Sequence, residues 1–169
     1  LLFANNNEKV DYVKQAAFVA KRCKTYLDLP VSVVTDSVGY AESFEVFDNV
    51  IKLNEENLKS NIKTYFDGSL SQYRLPWRNN SRTLSYELSP YDETIVMDTD
   101  MLILQNIDTW WKFLSKYEMF FTSNVLNYRG ERADASYYRK TFIENKLPNL
   151  FSGFHYFKKF DFAQEFYNW

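Results

Sequence analysis

Two carboxylates, Asp98 and Asp100, stand one residue apart inside the apolar run Thr94-Ile95-Val96-Met97-Asp98-Thr99-Asp100-Met101-Leu102-Ile103-Leu104. Such a run predicts a strand buried on both faces of a mostly parallel sheet. Unpaired carboxylates are costly in that setting, so the pair must sit at the strand's end and meet a cation, a hydrogen-bond network or a ligand. Carboxyl ends of strands are where open α/β sheets bind ligands. Two carboxylates are also a donor set for a hard divalent cation, Mg²⁺ or Mn²⁺, held jointly with substrate phosphates. An ideal strand would point the two side chains to opposite sides, so a turn must converge them. The alternative is a solvated turn between two strands.

The elements that must carry this turn follow from periodicity. Leu1 to Ala4 predicts a first strand and Asn5-Asn6-Asn7 a polar loop at its carboxyl end. Val10, Val13, Ala16, Ala17, Ala20, Cys23 and Leu27 recur at three- and four-residue spacing, which predicts a helix over 8–27. Cys23 falls on its apolar face and reads as core packing. Val31 to Thr35, running into Asp36, completes a strand–helix–strand unit. Further strands are expected around Val50 to Leu53, Met119 to Thr122 and Phe154 to Phe157. Short helices are expected at Arg82 to Leu88, from Asp108 through Lys116, at Ala135 to Lys146 and from Phe162. From Asn54 to Asn80 the pattern weakens, and Asp67-Gly68-Ser69 and Pro76-Trp77-Arg78-Asn79-Asn80 read as turns and loop.

With 169 residues, 46% of them hydrophobic, the chain fits a single α/β domain with a real core. A net charge of −2 gives no overall basic field, so nucleic acid is not an expected partner, and any phosphate must be gripped locally. The lone cysteine excludes an internal disulfide framework and suits a reducing compartment. No signal peptide is visible and no apolar run approaches the length of a membrane span, so a cytoplasmic location is expected. The chain opens on what reads as half a strand and stops at Trp169 inside an expected helix. A piece of a longer domain, truncated at both ends, is therefore expected.

The segment Tyr91-Asp92-Glu93-Thr94-Ile95-Val96-Met97-Asp98-Thr99-Asp100-Met101-Leu102-Ile103-Leu104-Gln105-Asn106-Ile107-Asp108-Thr109-Trp110-Trp111 resembles the signature region of GT-A fold glycosyltransferases. The nearest flavour is the glycogenin-like and lipopolysaccharide galactosyltransferase-like group, where a Tyr-Asp pair precedes the Asp-x-Asp strand and an Ile-Asp turn follows it. The resemblance covers most of the chain, but only this region is specific. It implies a GT-A (Rossmann-like) fold and a transferase that takes its sugar from a nucleotide-diphosphate donor, a UDP-sugar being expected. The acceptor is left open among glycan, protein and small molecule, and the oligomeric state is not readable.

Site residues carry over position by position. Asp100 resembles the principal ligand of a Mn²⁺ that bridges the donor diphosphate, and Asp98 the residue shared between metal and ribose. Ala4 and Asn6 match the place where the family touches the base. Arg82 matches a basic residue facing the donor's phosphates and sugar. Ser152 and Gly153 match a segment whose small residue lets the sugar approach the backbone, with Phe151-Ser152-Gly153 standing where Asn-Ala-Gly is usual. The resemblance puts a third metal ligand, a His, later than the chain extends. His155 precedes that position and reads as a packed strand residue. No catalytic base or nucleophile is identified; Glu131 and Asp134 are carboxylates of an acceptor-side loop, read first as solvated charges.

Aromatic frequency makes Trp77, Trp110 and Trp111 core residues before sugar platforms. Arg129, Arg132 and Arg139 fit a solvated polar face as well as an acceptor site. A haloacid dehalogenase-type phosphatase also uses Asp-x-Asp after an apolar strand, but with a Gly-Thr or Gly-Val sequel near the domain start; here Met101-Leu102 follows, and earlier strands precede it. A non-catalytic glycosyltransferase-like carbohydrate-binding or assembly module is the remaining alternative.

Overall fold

The computed structural model describes residues 1–54, 61–66, 72–78, 80–123, 126, 130, 144–146 and 150–168. Outside them lie Arg129, Glu131, Arg132, Asp134, Arg139, the Asp67-Gly68-Ser69 turn, Asn79 and most of the helix expected at 135–146. Eight strands are described: β1 (Leu2–Phe3), β2 (Ser32–Thr35), β3 (Asn49–Lys52), β4 (Asn61–Phe66), β5 (Gln72–Trp77), β6 (Glu93–Met97), β7 (Met119–Ser123) and β8 (Leu150–Lys158). The helices are α1 (Tyr12–Leu27), α2 (Val38–Glu42), α3 (Ser85–Leu88), which continues a 3₁₀ turn at Asn80–Leu84, α4 (Asp108–Leu114) and α5 (Asp161–Asn168).

Six strands form one sheet in the order β3-β2-β1-β6-β8-β7. β3, β2, β1 and β6 are parallel, β8 runs antiparallel to β6, and β7 antiparallel to β8. Alternation along the strands sends Leu2, Ala4, Val33 and Met97 to one face, where they pack with Val13, Ala16, Ala17 and Ala20 of α1. Leu1, Phe3, Val34, Val96 and Phe157 go to the other, against Leu84, Tyr86 and Ala163 of the 3₁₀ turn, α3 and α5. Both faces are thus covered, which explains why these strands lack polar alternation. Among the described residues no helix is long and apolar enough to cross a membrane.

Several boundaries differ from the sequence reading. α1 starts at Tyr12, four residues later than expected (12 − 8), because the Asp11 carboxylate caps it by accepting from Lys14 N–H. Asn7 Oδ1 meanwhile accepts from the N–H groups of Lys9 and Val10, holding them in a turn. The run from Thr94 to Leu104 is strand only as far as Met97; Ile103 is buried, while Leu102 and Leu104 are exposed in the segment that follows. The stretch 54–80, where the sequence pattern weakens, contains a two-stranded antiparallel ribbon, β4 with β5, and Pro76 and Trp77, read as loop, are its last strand residues, Pro76 pairing with Ile62. Proline is tolerated because both strands of an isolated ribbon are edges. α2 was not expected from the sequence.

Candidate functional site

The parallel strands β1, β2 and β6 end along one edge of the sheet, delivering Asn5 and Asn6, Asp36, and Asp98 respectively. β8 enters that edge through Ser152 and Gly153, since its Phe154 pairs with Met97. The pairing extends one step further: Asp98 N–H donates to Gly153 O at 2.8 Å. Asp98 O then accepts from Met101 N–H at 3.3 Å, closing a turn over Asp98-Thr99-Asp100-Met101. Thr99, buried, donates its hydroxyl to Gln15 Oε1 of α1. Arg22 of α1 donates to Ile103 O, so the helix holds the turn and the chain after it.

Arg82, from the 3₁₀ turn, ion-pairs with Asp98 Oδ1; each side chain keeps about a quarter of its surface exposed, 24% and 22%. Burial raises the Asp98 carboxyl above the ordinary aspartate range, Arg82 opposes that rise, and the neighbouring Asp100 charge adds to it. The Lys63 ammonium on β4 also acts to lower it, which places the ribbon's charge within reach of the turn. Asp100 is exposed. Gly153 is required by space: a Cβ there would run into Asp98 Oδ2 and into the Phe151 ring, 2.5 Å from its Cζ.

The structure therefore brings Arg82, Asp98 and Gly153 together, with Asp100 on the same turn and Ser152 next to Gly153. Ala4 is fully buried; its N–H donates to Val34 O and its carbonyl accepts from Thr35 Oγ1. Asn6 serves the start of α1, accepting from Val13 N–H at 3.0 Å and donating to Asp11 Oδ1 at 3.1 Å. These two stand at the carboxyl end of β1, with no side-chain bond to Asp98.

A second polar cluster on the same edge escaped the sequence reading. Arg78, just after β5, ion-pairs with Asp36, whose N–H donates to Asn5 Oδ1. The available signal was the position of Asp36 at a strand's carboxyl end; Arg78 gave none, because its ribbon was not expected. His155, read as a packed strand residue, is buried on β8, its ring stacked on Phe121 with centroids 5.0 Å apart. Cys23 packs against the core of the α1 face, and burial raises its thiol pKa. Trp110 and Trp111 pack edge-on against Phe154 and Tyr156, although half of Trp110 remains exposed.

The donor chemistry suits a hard divalent cation. Two carboxylates share a tight turn, and the half-buried one, Asp98, has its pKa raised by burial in spite of its pairing with Arg82. Among the described residues no group of three His, Cys, Asp or Glu is placed to hold a metal. A cation at Asp98 and Asp100 would therefore complete its shell with substrate and water oxygens, the usual situation for Mg²⁺ beside a diphosphate.

No family model matches the chain, and no curated protein sequence matches it. Among solved structures, the crystal structure of mouse xyloside xylosyltransferase 1 in its apo form is similar, with a TM-score of 0.50 at 13% identity. The match covers 93% of this chain and 65% of that one, so the chain spans less than two thirds of the xylosyltransferase's length. At that identity the likeness speaks to architecture: the mixed α/β core, with its mostly parallel central sheet flanked by helices, is a GT-A-like Rossmann fold.

Proposed function

We propose that the chain is a glycosyltransferase domain that takes its sugar from a nucleotide-diphosphate donor, a UDP-sugar, with Mn²⁺ or Mg²⁺ held at Asp98 and Asp100. The observation that carries this reading is the meeting of Arg82, Asp98 and Gly153 where β6 ends. These residues come from three separate segments, and each is the type the donor chemistry needs. Bound there, a divalent cation would neutralise the charge that builds on the diphosphate as the sugar–phosphate bond breaks.

The chain's own residues supply the rest. Arg82 offers a planar fork of N–H donors beside the cation carboxylates, suited to phosphate oxygens. Gly153, having no Cβ, leaves the room that the Asp98 carboxylate and the Phe151 ring occupy, and so lets that carboxylate sit at the end of β6. Ala4 and Asn6 are assigned to the base side, at the carboxyl end of β1. The xyloside acceptor named for the similar mouse enzyme makes a glycan acceptor the first candidate, with protein and small-molecule acceptors to be tried beside it.

Calorimetry with UDP and then GDP, with and without Mn²⁺, tests the reading on the wild-type chain and on Asp100→Ala. Metal-dependent UDP binding that the substitution abolishes is the expected result. A folded wild-type chain that binds neither nucleotide in the presence of metal would overturn it. Release of free sugar from a bound donor would separate an active transferase from a binding module.

A further inference from the structure

The pairing of β7 with β8 jumps beside the candidate site. Phe121 faces His155, but the next residue, Thr122, faces Phe151. Ser152, Gly153 and Phe154 therefore bulge from the ladder, opposite no residue of β7 in its register. Their carbonyls are satisfied elsewhere, each by a different group. Phe154 O accepts from Thr122 Oγ1 at 3.0 Å, Gly153 O from Asp98 N–H at 2.8 Å, and Ser152 O meets His155 Nδ1 at 2.9 Å.

The last contact fixes a proton. Ser152 O can only accept, so His155 Nδ1 must carry the hydrogen. His155 Nε2 is then an acceptor, and the Tyr167 hydroxyl of α5 stands 2.6 Å away to donate to it. Both ring nitrogens of a buried imidazole are thus used, in one tautomer. Tyr167 also bears on Arg82: the Ser85 hydroxyl lies against the Tyr167 oxygen and donates to Arg82 O at 2.6 Å. One set of contacts therefore touches both Ser152 and the turn that carries Arg82.

We infer that His155 is a positioning residue for the donor site: its Nδ1–H, oriented by Tyr167, holds the Ser152–Phe154 bulge so that Gly153 can receive Asp98 N–H and fix the Asp98 carboxylate. This rests on the donor-site reading only for its effect on nucleotide affinity. If His155 merely fills space, leucine will serve as well. Asparagine distinguishes the two roles, because its amide nitrogen falls near the Nδ1 position, whereas the glutamine amide falls near Nε2 and cannot reach Ser152.

The test uses the full chain. His155 is the single histidine, so the ring ¹⁵N signals are unambiguous. A protonated Nδ1 and an unprotonated Nε2 are expected; the reverse would overturn the inference. Hydrogen exchange at the Asp98 amide should be about tenfold faster in His155→Leu and His155→Gln than in wild type, and close to wild type in His155→Asn. UDP affinity in the presence of Mn²⁺ should follow the same order, falling about tenfold and returning with asparagine. Equal exchange in the leucine variant and wild type would reduce His155 to packing. If wild type binds no nucleotide, the donor-site reading fails, while tautomer and amide exchange still decide the positioning role. If the leucine variant does not fold, Tyr167→Phe takes its place, with faster Asp98 exchange expected and an unchanged rate overturning the inference.

Discussion

Arg82 and Asp98 form an ion pair at the edge of the sheet, joining the 3₁₀ turn before α3 to the first residue after β6. Removing the guanidinium leaves a half-buried carboxylate beside a second negative charge at Asp100. Because each partner is about a quarter exposed, Arg82→Ala should cost about 1–2 kcal/mol, between the values for surface and buried pairs. Urea unfolding at neutral pH measures this. Arg82→Lys should restore part of the stability but less of the nucleotide affinity, since an ammonium cannot offer two parallel donors to a phosphate.

Gly153→Ala drives a methyl group into Asp98 Oδ2 and the Phe151 ring. The backbone cannot yield freely, because Gly153 O holds Asp98 N–H. A loss of about 1–3 kcal/mol is expected, the range for overpacking a closed site. Gly39→Ala is the control: nothing lies within 4 Å of its Cβ position, and Gly39 sits inside α2. That change should raise stability by about 0.4–1 kcal/mol. Two thermal melts settle the comparison, and equal effects of the two changes would contradict the packing at Gly153.

His155 gives the chain an acid-side sensitivity. Burial lowers its pKa to about 4 from an ordinary 6.5; the bond to Ser152 O resists that shift, and the positive charge of Arg82 adds to it. Tyr167, facing it from α5, stays neutral, its pKa raised by burial. The unfolded chain takes up the proton as pH falls below about 6.5 while the folded chain does so only near 4, so stability present above pH 6.5 is lost across that window. The full loss amounts to about 3 kcal/mol at 1.36 kcal/mol per pH unit. Denaturant titrations from pH 7 to 4 should show this slope in wild type and a shallower one in His155→Asn.

Asn6 has a structural duty that can be separated from any contact with a base. Its Oδ1 accepts Val13 N–H and its Nδ2 supports the Asp11 cap of α1. Asn6→Ala should therefore cost about 1 kcal/mol as a capping loss. Asn6→Asp keeps the acceptor for Val13 but sets a second carboxylate against Asp11 Oδ1, so it should recover little of that stability at neutral pH. If both variants also lose UDP affinity, the amide has a second role at the base; loss in neither confines Asn6 to the helix.

The parts of the fold that were legible in the sequence are those with a core face. β1, β2, β3 and β6 are apolar on both sides because helices cover both faces of the sheet, and Asp98 stood out against that background. The β4–β5 ribbon was not legible because few of its described side chains are buried: Leu75 is, but Ile62 is 67% exposed and Lys63, Thr64, Gln72 and Arg74 are exposed with it, so no apolar alternation marks the strands. Arg78 and Lys63, which bring charge to Asp36 and the Asp98 turn, were lost with it. The start of α1 was misplaced because Asn7 and Asp11 both look like caps, and only the tertiary arrangement chooses Asp11. Tyr167 and Phe121 reach His155 from other elements, and Ser152 reaches it only because β8 bulges, so its neighbours Phe154 and Tyr156 suggested only packing.

The strand order also dictates a timetable for synthesis. Leu2 pairs with Met97, and Met97 with Phe154, so the centre of the sheet is laid down from opposite ends of the chain. β1 can dock on β2 and β3 soon after they emerge from the ribosome, but β6 lacks its second neighbour until β8 has been made. A nascent chain halted before residue 150 would present β6 as an apolar open edge, the kind of surface that recruits other unfinished chains. The stretch in which Asp98 is set therefore gains its second neighbour only when β8, the last described strand in the order of synthesis, is in place.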